Sequence, residues 1–233
     1  MARRTPMQNY ARWHIWLGWL VAVPLLLWTV SGLVMVARPI EEVRGHTLHV
    51  EHKPAPVRVQ LGGASGDTLI KQGKILDQRG RSVLIATYMD GTVHRIDLGA
   101  PGQPTLPPVD AAEARAAVRY AVKGGDQVVA VRLFQADQAP LDFRRPMAAW
   151  QVTLADQTHV YVGRDTGEIE AIRTRWWRLF DFMWGLHIMD LETREDTHHP
   201  LLIGFAALAL VSCLLGTVLL FRRRRAIKRP VAN

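Results

Sequence analysis

Two uncharged apolar runs near the ends of the chain restrict what it can fold into more than any other feature. Ile15–Ala37 spans 23 residues without a charge, and Leu201–Phe221 spans 21. At a rise of about 1.5 Å per residue, either run crosses a hydrocarbon core of roughly 30 Å. Inside lipid a segment must satisfy its own backbone hydrogen bonds, so both runs are expected to be transmembrane helices. The first is too long for a signal-peptide core, and Met35-Val36-Ala37 is a poor cleavage site. It is therefore expected to persist as an uncleaved anchor.

Charge divides along the same lines. Of 29 basic residues, Arg3, Arg4 and Arg12 precede the first run, while Arg222–Arg225, Lys228 and Arg229 follow the second. No acid accompanies these nine. The region between the runs keeps 20 basic and all 21 acidic residues and is nearly neutral. Basic residues outside both spans put both termini in the cytoplasm and the centre on the far side. The expectation is a two-pass protein of a bacterial inner membrane with a periplasmic central domain. A nearly neutral domain disfavours nucleic acid as a partner, despite a net charge of +8. Cys213, the single cysteine, lies inside the second span, so no disulfide framework exists.

The spans carry narrow, mostly small faces at helical spacing: Gly18, Ala22, Leu25, Thr29 and Gly32 on the first, Ala209, Ser212, Cys213 and Gly216 on the second. Such faces let helices approach closely, either with each other or across a homodimer. Trp13, Trp16 and Trp19 suit the membrane interface, and Pro24 can kink the first helix.

Between the spans, Ser82–Leu98 reads as a hairpin around Asp90-Gly91. The proline-rich stretch after it (residues 101–108) reads as a linker or loop. Asp110 opens an amphipathic helix, with Glu113 completing a capping box and Gly124-Gly125 ending it. Three strand candidates follow, QVVAVRLFQ, AAWQVTLA and THVYVGR, then the turn Asp165-Thr166-Gly167-Glu168 and a last short strand. Earlier, His46, His49 and His52 recur every third residue. Strand faces alternate with period two, so these three do not share one, and a solvated strand or loop is expected.

The helix followed by strands, with Trp150-Gln151-Val152, Tyr161-Val162 and the Asp165–Glu168 turn, resembles a PepSY domain over Val109–Ile172. The flanking RWHIWLGWL and WGLHIMDLETREDTHHPLL resemble PepSY-associated transmembrane proteins. The resemblance implies an α+β periplasmic domain, a helix packed on an antiparallel sheet, between two transmembrane helices. Residues 45–100 are a candidate degenerate second copy lacking the turn. The expected layout is a cytoplasmic N-terminus (1–14), first span (15–37), strand-rich region (38–108), PepSY-like domain (109–175), interfacial helix and acid/histidine corner (176–199), second span (200–221) and basic tail (222–233). Some larger members of the family are ferric-siderophore reductases bearing haem, which would link the chain to iron uptake. They have more spans than the two here. The resemblance then favours an accessory module presented to a periplasmic protein or peptide, with no catalysis of its own. The alternative is a haem-b electron-transfer subunit.

Haem b in a membrane is usually held by two histidines on opposite faces of the ring. The candidates are His14, His187 and His198. His14 lies at the cytoplasmic end of the first span and the others beyond the far end of the second, so His14 could share a haem only with a second chain. His187 lines up with Trp176, Phe180 and Met183 on one helix face, with Arg178, Asp181 and Gly185 opposite. The corner residues Asp190, Glu195, His198 and His199 have the chemistry to ligate a divalent metal. They equally suit a helix start, with acids at the positive end, Thr197 as cap and Pro200 in the first turn. No nucleophile elbow, HExxH motif or glycine-rich phosphate loop is present, so hydrolytic catalysis finds little support.

Overall fold

A computed structural model describes residues 6–52 and 70–227, with backbone only for 223–227. Arg3, Arg4, Lys228 and Arg229 of the basic flanks, and part of the 45–100 region, lie outside the described residues. The chain divides into two compact units, one of residues 1–38 with 179–233 and one of residues 39–178.

The first unit contains helix α1 (Pro6–Val36) and, at the other end of the chain, helix α5 (Pro200–Ile227), which pack against each other. Both outrun the apolar runs that predict them. Each is long and apolar enough to cross a membrane, and only a small part of either is buried. Trp16 is 65% and Trp19 76% exposed, and Leu201, Leu210, Leu214 and Leu220 of α5 also face outward. Lipid is the solvent that such a surface matches, and the chain is a membrane protein. The buried residues of α1 are Val21, Pro24 and Ser31, and those of the apolar part of α5 are Ala209 and Ser212; Ser31 lies against His187 of α4. The predicted small-residue stripe of α1 is largely not the seam. A Cβ added at Gly18 would meet nothing within 4 Å, and Leu25 stays exposed. Helices pack along ridges set by several side chains, and Pro24, whose ring replaces an N–H, occupies the seam.

The second unit begins with one helical turn, α2 (Ile40–Val43). Strands β1 (Ile70–Gln78), β2 (Arg81–Tyr88), β3 (Val93–Asp97) and β4 (Thr105–Leu106) form an antiparallel meander in that order. The Asp90-Gly91 turn joins β2 and β3 as expected. The proline-rich stretch is not a free linker. It supplies β4, and its Pro104 carbonyl accepts the Asp97 N–H. Helix α3 (Ala111–Ala121) precedes a second meander, β5 (Val128–Phe134), β6 (Ala149–Leu154), β7 (His159–Gly163) and β8 (Ile169–Arg173). Ala114, Val118 and Val122 recur at helical spacing and pack on Val152, Leu154, Val160, Val162 and Ile172. Each large apolar side chain removed from water contributes roughly 1.5–3 kcal/mol. Helix packed on antiparallel sheet is the α+β arrangement expected. Helix α4 (Arg175–Ile188) follows, started by Thr174, whose Oγ1 accepts from Trp177 N at 3.0 Å. The division between the two units falls within α4.

Candidate functional site

His14 sits on α1 where α5 brings Ser212 and Gly216 against it. Its Nδ1 lies 3.0 Å from the Ser212 carbonyl oxygen. A carbonyl only accepts, so Nδ1 carries the proton and donates. In a neutral ring Nε2 then keeps its lone pair. The ring occupies the notch left by Gly216, where an added Cβ would fall 2.9 Å from Cε1. That close approach requires glycine.

His187, near the end of α4, meets α1 in a similar socket. Ser31 Oγ donates to the Leu27 carbonyl at 2.6 Å and lies 2.9 Å from His187 Nδ1. One hydroxyl proton cannot serve both partners, so Nδ1 is again the donor and Nε2 again the bare nitrogen. Trp28 Nε1 donates to the His187 carbonyl at 2.8 Å, and the ring edge faces Gly32. Both histidines are half-buried. Seventeen residues of α1 separate His14 from Ser31, about 26 Å at helical rise, so the two sockets lie at different levels of the helix pair.

The corner between α4 and α5 is held by its own side chains. Asp190 accepts backbone N–H groups of Glu192, Thr193, Glu195 and Asp196 and the Thr193 hydroxyl. The Thr193 hydroxyl, with these amides, holds its carboxyl far below the ordinary carboxylate range. Buried Asp181 pairs with Arg194 at 2.6 Å, and Trp184 Nε1 donates to the Arg194 carbonyl at 3.1 Å. Gly185 leaves room for the Arg194 stem. The α4 face carrying Asp181 and Gly185 is thus covered by the corner itself. Glu195 and His198 are exposed, and His199 is partly covered. Thr197 does not cap α5; its hydroxyl stands 3.4 Å from His198 Nδ1. Among the described residues, no three His, Cys, Asp or Glu side chains are grouped to hold a metal ion.

In the central unit several buried polar side chains pair with one another, although Arg95 Nε is buried without a hydrogen-bond partner among the described residues. Asp110 Oδ1 caps α3 by accepting Glu113 N at 2.7 Å. Glu113 does not return the bond. Its carboxylate takes both Arg95 Nη atoms, at 2.8 and 3.1 Å, and Arg79 at 3.0 Å. Arg95 is 2% exposed. Its hydrogen bond to Glu113 keeps the Glu113 carboxyl below its usual value, against burial. Gln78 Nε2 donates to the Thr166 carbonyl at 2.7 Å and Lys74 pairs with Glu168, so the Asp165–Glu168 turn is gripped by the first meander. Gly167 has φ +68°, and a Cβ there would stand 2.9 Å from Arg95 Nη1.

A second network was not legible in the sequence. Asp142 accepts from Tyr161 Oη at 2.6 Å and His159 Nδ1 at 2.9 Å. Burial pushes the Asp142 carboxyl up, but these hydrogen bonds outweigh it and hold it down. Burial, reinforced by Asp142, pushes the Tyr161 phenol well above its ordinary value. Of the spaced histidines, His46 starts a short 3-10 turn, His49 bridges to Val122, and His52 stacks on Tyr120 at 3.8 Å. His49 and His52 border a crevice of about 360 Å³ beside α3, with Glu113, Tyr120 and Glu168.

No curated protein and no solved structure matches the chain. Its sequence alone decides the family: residues 11–232, from the α1 segment holding His14 through the basic tail, match the PepSY-associated TM region, and the chain belongs to that family.

Proposed function

We propose that the chain is a haem-b-binding electron-transfer subunit of a bacterial inner membrane, with both termini cytoplasmic and residues 39–178 periplasmic. One observation carries this reading. His14 and His187 are each pinned through Nδ1–H to an acceptor on a neighbouring helix, which leaves Nε2 with the lone pair that iron takes. The donor chemistry fits haem b. His14 would hold one group at the cytoplasmic level and His187 another at the periplasmic level. Each level offers one histidine held in this way per chain, so a second copy would supply the opposite ligand. Bound haem supplies one-electron oxidation and reduction. The protein's residues fix the imidazoles and exclude water with the lipid-facing helices. His198 is exposed, with its ring 3.4 Å from the Thr197 hydroxyl and its backbone N–H on Asp196, and lacks a buried socket of this kind.

A second reading, a periplasmic module that binds a protein or peptide, draws on the edge strand β5. Val129 there is 65% exposed, and an extended segment could add to that edge.

The visible spectrum of detergent-purified protein from haem-replete cells, oxidised and dithionite-reduced, separates the readings. The haem reading expects a Soret band and sharp α and β bands, reduced in His14→Ala and in His187→Ala. A colourless protein overturns it and leaves the module. For orientation, a reporter fused after Asn233 should be active only in the cytoplasm.

A further inference from the structure

We propose that Ser31 is a positioning residue for His187, setting its tautomer and ring orientation so that Nε2 is presented as a ligand. This rests on the haem reading for its purpose but on geometry for its content. Ser31 is buried, at 1% exposure, in the seam of the membrane unit. Its hydroxyl is committed to the preceding turn of α1, 2.6 Å from the Leu27 carbonyl and 3.2 Å from that of Trp28. Its remaining capacity is to accept, and the group in reach is His187 Nδ1 at 2.9 Å. The backbone of His187 is fixed separately by Trp28 Nε1, one turn of α1 away. Gly32, next to Ser31, leaves the imidazole edge room, with an added Cβ falling 3.8 Å from Cε1. Ring and backbone of His187 are thus held at two points, from two consecutive turns of α1. The two tautomers of free imidazole interconvert readily. An Nδ1–H facing an acceptor selects one, because the other tautomer sets the bare Nδ1 lone pair against the Ser31 oxygen, whose proton is already given to Leu27. Donation through Nδ1–H also makes Nε2 a more basic ligand.

The sockets are not equivalent in this respect. His14 Nδ1 is held by a backbone carbonyl, which no substitution removes, with the Ser212 hydroxyl more distant at 3.4 Å. Ser31→Ala should therefore alter the His187 level alone.

The experiment uses full-length protein in detergent with ¹⁵N-labelled histidine. The His187 signals are identified by their loss in His187→Ala. In wild type the ring nitrogen shifts should report an Nδ1–H tautomer. In Ser31→Ala the Nε2–H form should gain population, and Ser31→Thr, which keeps the hydroxyl, should restore the wild-type pattern. An Nε2–H tautomer in wild type, or an unchanged tautomer in Ser31→Ala, overturns the assignment. In haem-loaded protein the midpoint potential of the His187-level component should move positive in Ser31→Ala, with the His14-level component fixed. Equal shifts of both components would mean a general structural effect and overturn it too. A colourless wild type refutes the haem reading, and the tautomer measurement still decides the role of Ser31.

Discussion

The two histidines in the seam of the membrane unit are satisfied differently from the buried charges of the central unit. In the central unit a buried polar side chain generally finds partners of its own kind. Arg95, Glu113 and Arg79 close on one another, as do Asp142, His159 and Tyr161. In the membrane unit, His14 and His187 are each hydrogen-bonded at Nδ1, and among the described residues Nε2 has no hydrogen-bond partner. A closed network stabilises and specifies a fold. A half-satisfied imidazole, fixed in orientation through Nδ1, keeps Nε2 as an acceptor. The contrast is why the proposed haem reading looks to the helices, while the central unit joins closed charge networks to the apolar core under α3.

The largest effect that could break this contrast is the loss of a ligand. His187→Ala should lower occupancy of its haem level at least about tenfold while the His14 level stays, as read from the reduced spectrum. Next comes Arg95→Leu, which leaves the partly buried Glu113 carboxylate with Arg79 and should destabilise the central unit by about 1.5–3 kcal/mol, the range for a hydrogen bond to a charged group. Thermal unfolding by circular dichroism measures it, and the haem spectrum should not change. Bleaching in that variant would show that the units are not separable in function. Gly167→Ala should cost about 1–2 kcal/mol, since a left-handed φ is imposed on a side chain that also meets Arg95. The smallest effect sharpens the origin of the stability. The folded carboxyls of Glu113 and Asp142 lie below their unfolded values. Their contribution is therefore full above a pH of about 4 and is lost as pH falls through the lower folded values. Unfolding curves at falling pH should show that loss in wild type, and a smaller one in Glu113→Gln.

Features set by local chemistry were legible in the sequence. The uncharged runs, the Asp90-Gly91 hairpin, the Asp110 cap and the Asp165–Glu168 turn each depend on residues a few positions apart, and all stand where expected. Strand β1 was not legible. Its residues are mostly exposed, so no apolar alternation marks it, and Gly73 interrupts the run. The capping box was half right, because Arg95, eighteen residues upstream, competes for the Glu113 carboxylate and wins. His14 and His187 could be singled out as residues. Their sockets could not, since Ser212 lies 198 and Ser31 156 positions away in the chain. The seam of α1 likewise follows from the partner helix, which no periodicity within α1 encodes.

The pyridine haemochrome content of the purified chain tests the central claim most directly. Two levels, each completed by a second copy, predict about one haem b per chain. Protein that folds, stays in the membrane fraction and yet carries no haem would contradict the account.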